Sequence, residues 1–198
     1  MRIVAGRLRG KAVAVPDGVA VRPTSDRSRG ALFNILEHRF QGRDGFSLHG
    51  ARVLDAFAGS GALGLEALSR GAAFVTFIEQ AAPARAVLGQ NIRACDAGAN
   101  TRLVAGDALR PPRADSAADL IFLDPPYGLE LVVPALRALE KAGWLTPRTL
   151  VFAETDARSP APSWPGGTVL LDERVHSRAR LTFLRVGPAP DDRATNPG

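Results

Sequence analysis

One cysteine, Cys95, stands among 198 residues. No internal disulfide can form, and no cysteine-based zinc set can assemble. His38, His49 and His176 are scattered without metal-ligand spacing, so no metal site is expected. No apolar run approaches the length of a membrane span. Arg2, Arg7, Arg9 and Lys11 crowd the N-terminus, but no apolar stretch of signal-peptide length accompanies them. These absences point to a soluble, cytoplasmic protein without a membrane partner. Cys95 itself closes a helical pattern of Ala84, Val87, Leu88, Asn91 and Ile92, which gives it a packing role.

An acidic excess is missing too, and the basic one is unevenly placed. Residues 1–50 hold nine Lys and Arg against four Asp and Glu, whereas residues 51–198 hold sixteen of each. The whole net charge of +5 therefore belongs to the N-terminal quarter. An enzyme for a small molecule needs no such arm. A polyanion does, because Arg forks pair with phosphates and displace counterions.

What is present is most specific at Asp124-Pro125-Pro126-Tyr127. These residues follow the strand-like run Ala118–Leu123. The two prolines fix the backbone just beyond the strand. The Asp124 carboxylate and the Asp–Pro carbonyl then stand as rigid acceptors at a sheet rim, beside the chain's one tyrosine. Acceptors below a flat ring suit a planar aromatic amine, which donates hydrogen bonds while its ring stacks. A Pro-rich turn ending a strand is the plainer alternative.

The second motif follows the strand pattern 51–57. Ala58-Gly59-Ser60-Gly61-Ala62-Leu63-Gly64 turns into a helix over 65–70. Glycines there let a ligand approach the backbone, and the helix start offers free N–H groups. Glu79 ends the next strand, 20 residues after Gly59, the usual offset for a carboxylate that holds a ribose diol. A lone Gly-x-Gly-x-x-Gly fits NAD, FAD or S-adenosylmethionine, or close helix–strand packing alone. Asp55 favours S-adenosylmethionine, because a carboxylate serves a cationic amino-acid end and repels a pyrophosphate.

Asp55-Ala56-Phe57-Ala58-Gly59-Ser60-Gly61, Glu79, Asp107 and Asp124-Pro125-Pro126-Tyr127 resemble the ordered motifs of class I S-adenosylmethionine-dependent amino-methyltransferases. Arg2-Ile3-Val4-Ala5-Gly6, Arg9-Gly10-Lys11 and Arg22-Pro23-Thr24-Ser25-Asp26-Arg27-Ser28-Arg29 narrow the match. They are similar to the bacterial small-subunit ribosomal RNA guanine-N2 methyltransferase family. The resemblance runs from Met1 to about Val186. Gly30 departs from the pattern, where a Glu or another helix former is expected. The resemblance implies that Asp55, Gly59, Ser60, Gly61, Glu79 and Asp107 hold S-adenosylmethionine. It implies that Asp124, Pro125, Pro126 and Tyr127 form the catalytic motif, with the ring face of Tyr127 mattering more than its hydroxyl. Arg7, Arg9, Lys11, Arg22, Thr24, Arg27 and Arg29 become candidate contacts to ribosomal RNA or to a partly assembled small subunit, with Arg22, Arg27 and Arg29 nearest the active site.

The expected fold is α/β, a Rossmann-like class I methyltransferase. Strands are expected over 53–57, 74–78, 102–105, 119–123 and 149–154, and helices over 62–70, 83–95 and 131–142. That alternation gives a mostly parallel sheet. An antiparallel pair, 168–174 and 180–186, completes seven strands. A hairpin of 2–5 with 11–15 and a helix from Asp26 to about Phe40 form a basic extension, 1–45. The catalytic domain is 46–186, with a mobile loop over 156–167, and 187–198 is a disordered tail. The chain is expected to act as a monomer. An adenine-N6 methyltransferase and a non-catalytic RNA-binding assembly protein remain alternatives. The intact Asp55, Gly59, Gly61, Asp124 and Tyr127 weigh against the second.

Overall fold

The structure, a computed structural model, describes residues 1–16 and 26–187. Arg22, Thr24 and the expected tail beyond Gly187 lie outside the described residues. Seven strands form one sheet: β1 (Arg52–Asp55), β2 (Phe74–Glu79), β3 (Thr101–Ala105), β4 (Leu120–Leu123), β5 (Leu150–Asp156), β6 (Thr168–His176) and β7 (Ala179–Val186). Their order is β3-β2-β1-β4-β5-β7-β6. The first five run parallel, and β7 pairs antiparallel with both β5 and β6. This is the mostly parallel sheet with an antiparallel C-terminal pair that the alternation implied.

The helices are α1 (Asp26–Ile35), α2 (Ala62–Ser69), α3 (Ala82–Ala94) and α4 (Val132–Lys141). The side chains of α1, α2 and α3 share one core cluster on one face of the sheet, while α4 packs in a second cluster on the other face. Central strands are covered on both faces, which is why β4 reads Leu-Ile-Phe-Leu with every residue buried. On α4, Val132, Ala135, Leu136 and Leu139 are buried at helical spacing.

The sequence implies one continuous helix to Phe40. Instead α1 passes at Ile35 into a π-helical turn, Leu36–Phe40. Phe40 lies 5.0 Å from the Phe183 ring, extending a row that runs through Phe152 and Phe122 to Phe33.

The N-terminal hairpin is reduced to a single bridge, Arg2 with Ala12. Its arms still bond each other, Ile3 N–H to the Lys11 carbonyl and Val13 N–H to the Met1 carbonyl, while other groups reach the helices. The N–H groups of Val4 and Ala5 donate to the Glu66 carboxylate at 2.8 and 3.0 Å, and Leu8 N–H donates to Ser69 Oγ at 2.9 Å. Ala14 exchanges bonds with the Asn91 amide. The segment thus lies across α2 and α3, with Ile3, Leu8 and Val13 in the same core cluster as the sheet. The start of the 156–167 segment is held by side chains. Arg180 donates to the Ala157, Ser159 and Pro160 carbonyls, and Arg158 and Arg178 pair with Asp156.

Candidate active site

Parallel β1, β2, β4 and β5 bring their C-terminal ends to one edge of the sheet, where α/β folds bind ligands. Asp55 ends β1 and Glu79 ends β2. Asp124 follows β4, and Glu154 lies near the end of β5. Asp107 follows β3 by two residues. One edge therefore collects the carboxylates that the sequence singled out.

Asp55 is buried, and its Oδ2 accepts the Gly64 N–H at 3.0 Å. Burial pushes its pKa up to about 7; the Gly64 N–H opposes the rise and the charge of Glu79 adds to it. A buried carboxyl in this state gains most from a cation placed against it. Glu79 binds the glycine turn directly, accepting the Gly59 N–H at 2.8 Å and the Ala81 N–H at 2.7 Å. The turn and the ribose-type carboxylate therefore form one unit.

The glycines divide the work. Gly59 and Gly61 hold φ of +53° and +80°. A Cβ on Gly59 would meet open space, as a ligand-facing position requires, whereas one on Gly61 would lie 2.2 Å from Leu88 Cδ1. A Cβ on Gly64 would lie 2.3 Å from the Phe77 ring, so Gly64 serves close helix–strand packing. The Ser60 carbonyl accepts from Asn91 Nδ2 at 2.8 Å, which fixes the turn to α3. Asp107 Oδ1 accepts the Leu109 N–H at 2.9 Å and its side chain stays partly exposed. These groups fit S-adenosylmethionine: a buried acid for its cationic end, a diol-type acceptor, and backbone open to close approach.

Around the amine motif, Pro125 is buried and Pro126 exposed. The Tyr127 hydroxyl donates a short hydrogen bond to Glu154 Oε1. Burial raises the Tyr127 pKa far above its ordinary value, followed by the Glu154 hydrogen bond and the charges of Glu154, Asp124 and Asp156. The ring is therefore neutral and held through its hydroxyl. Glu154 was not singled out in the sequence, because a single acid at a strand end carries no motif.

The candidate RNA contacts separate into groups. Arg29 is not a contact: its side chain is fully buried, pairing with Asp26 at 2.8 Å and Glu66 at 3.5 Å. It ties α1 to α2, and a phosphate cannot reach it. Arg27 is exposed on the first turn of α1. Arg7, Arg9 and Lys11 are exposed but lie far from the catalytic edge. The Arg7 N–H bonds the Ser69 carbonyl and Lys11 Nζ the Ala94 carbonyl, at the C-terminal turns of α2 and α3. A separate hollow of about 570 Å³ between α1, the π-helical turn and β6 is lined by Asn34, His38, Arg39, Arg43 and Arg174. Arg39 and Arg174 share one acid, Asp172, so the hollow keeps positive charge. The sequence reading did not single out these arginines. Another hollow of about 280 Å³, with His49, Asp119 and Arg148 in its wall, lies where β1 and β4 begin.

No helix among the described residues is long and apolar enough to cross a membrane. Gly30, the departure from the family pattern, lies within α1, and a Cβ there would meet only Val4 Cγ1 at an ordinary 3.6 Å.

Comparison with known proteins agrees with this geometry. Residues 1–185 match the family model described as Conserved hypothetical protein 95. The chain is 37% identical over 176 residues to ribosomal RNA small subunit methyltransferase D of Escherichia coli K12, covering 88% of this chain and 84% of that one. It is 35% identical over 179 residues to the protein of that name from Haemophilus influenzae, with 88% of each covered. A solved structure provisionally described as methyltransferase yhhF of Escherichia coli superposes with a TM-score of 0.80 at 35% identity, over 94% of this chain and 98% of that chain. The chain therefore belongs to the Conserved hypothetical protein 95 family, alongside ribosomal RNA small subunit methyltransferase D, and is a methyltransferase of class I fold.

Proposed function

We propose that the protein methylates the exocyclic 2-amino group of a guanine in small-subunit ribosomal RNA, using S-adenosylmethionine. It acts as a cytoplasmic monomer on that RNA or on a partly assembled subunit. The observation that carries this reading is the shared edge. Asp55, Gly59 and Glu79 end one half of it, and Asp124–Tyr127 lie beside them, one strand away. The substrate is supported by the chain's similarity, over most of its length, to proteins named for small-subunit ribosomal RNA.

S-adenosylmethionine, when bound, supplies an electrophilic methyl group. Asp55 faces its cationic amino-acid end, Gly59, Ser60 and Gly61 admit its chain, Glu79 accepts from the ribose hydroxyls, and Asp107 accepts from the adenine amine. Asp124 and the Pro125 carbonyl take the guanine N–H bonds, Pro126 stiffens the loop, and Tyr127 stacks on the base. The amine is a poor nucleophile, because its lone pair delocalises into the ring. Accepting its hydrogens localises that pair and stabilises the positive charge that develops on nitrogen. Exposed cations on α1 and at its flank, Arg27, Arg39, Arg43 and Arg174, receive the nearer phosphates. Arg7, Arg9 and Lys11 receive more distant ones.

Asp124→Ala should slow single-turnover methyl transfer by about 10²–10³ while leaving cofactor affinity unchanged. The readout is labelled methyl on small-subunit RNA followed by nucleoside analysis. A near-normal rate would refute the amine-positioning role, and methyladenosine as product would replace guanine by adenine.

A further inference from the structure

The parallel register of β4 and β5 ends with Leu123 beside Ala153. The next residue after each is an acid, Asp124 just beyond β4 and Glu154 within β5, on neighbouring strands whose backbones run about 4.8 Å apart. Tyr127 joins them: its hydroxyl donates to Glu154, and its ring feels the charge of both acids. Glu154 is only half-buried, so it is open to the same rim as the amine motif. A carboxylate has about four lone-pair sites, enough to serve the Tyr127 hydroxyl and further donors together.

A guanine edge offers two neighbouring kinds of donor, the 2-amino group and the ring N1–H. An adenine offers its amine beside a bare N1 acceptor. We infer that Glu154 reads the base, accepting guanine N1–H beside the 2-amino group held at Asp124. The inference rests on the proposed guanine methylation and adds the residue that selects the base. An adenine in the same place would set its N1 lone pair against the Glu154 charge. Discrimination follows from the charge-assisted bond to N1–H, which adenine cannot make. The Tyr127 hydrogen bond serves the same end by holding the carboxylate and the stacking ring in one orientation.

The test uses 2-aminopurine, which keeps the 2-amino group but has no N1–H. Short RNAs carry either guanine or 2-aminopurine at the position that the intact enzyme methylates. Intact enzyme should prefer guanine by about 10–100-fold in single-turnover kcat/KM, the range for a hydrogen bond to a charged acceptor. In Glu154→Gln the amide can donate to the bare N1, and the preference should fall to within about threefold. Glu154→Ala, which offers N1 no partner of either kind, should lose it as well and serves if the Gln variant folds poorly. Tyr127→Phe should slow both substrates while retaining the preference, which separates base reading from ring positioning. Thermal melting and cofactor affinity should stay near those of the intact enzyme. A Glu154→Gln enzyme that still prefers guanine tenfold or more overturns the inference and leaves the methyltransferase reading standing. An intact enzyme that methylates no guanine overturns that reading itself, and the inference with it.

Discussion

Asp55 shows how one residue can couple folding, protonation and ligand choice. Its pKa, raised from an ordinary 3.8 to about 7, reflects burial first, with the Gly64 N–H opposing and Glu79 adding. The folded chain therefore holds this proton where the unfolded chain has released it. Stability from this group is highest below the unfolded value, falls as pH rises through the window between 3.8 and about 7, and stays at its lower level above. A cation bound at Asp55 reverses the cost. Affinity for S-adenosylmethionine should rise from about pH 6 to pH 8, where the ligand's own amine begins to titrate. Binding near pH 6 should release a proton, seen as a buffer-dependent heat in calorimetry. Asp55→Asn should bind weakly and without this pH dependence; an unchanged profile in that variant would remove Asp55 from the cofactor site.

The most unusual element is α2, whose residues Leu63 through Ser69 are all buried. One side meets the sheet, and the N-terminal segment covers the other, with its backbone bonded to Glu66 and Ser69. Glu66 also pairs with Arg29 and Arg70, and Arg70 with Glu37, so four side chains lock α1, α2 and the segment together. Removing one partner from a buried pair costs about 3–5 kcal/mol, whereas an exposed charge contributes little. Arg29→Ala should therefore lower the denaturation midpoint sharply, while Arg27→Ala should leave it near the intact value. Equal midpoints would mean that Arg29 is not structural. Arg29 also marks a limit of sequence reading. An arginine beside a basic motif looks like a phosphate contact, and only the packing shows that Glu66, 37 residues away, claims it. The strands, their mostly parallel sheet and the glycine turn were legible because prolines, glycines and unbroken apolar runs act locally. Glu154 was not, since its meaning comes from a neighbouring strand's register.

Across the whole molecule, several cations of residues 1–50 that the structure describes gather in two regions. Arg7, Arg9 and Lys11 lie at the sheet edge where strands begin, beside the C-terminal turns of α2 and α3. Arg39 and Arg43, joined by Arg174 of β6, flank α1. Register places Arg174 beside Leu181, and Leu181 beside Glu154; Asp124 follows the next strand, so Arg174 lies three strand spacings, roughly 14 Å, from the amine site. A phosphate near the reacting base helps to set its geometry, whereas a remote phosphate adds only affinity. Neutralising Arg39, Arg43 and Arg174 should weaken RNA binding and also slow single-turnover transfer at saturating RNA. Neutralising Arg7, Arg9 and Lys11 should weaken binding and leave the saturated rate intact. Each lost phosphate contact should reduce the log–log salt slope by about 0.7–0.9. The measurement is RNA affinity against salt, paired with transfer rates for both triple variants. An unchanged slope in the Arg7, Arg9 and Lys11 variant would make that patch a solvated surface. The RNA would then lie along α1 and β6 alone, and the N-terminal segment would serve to cover α2.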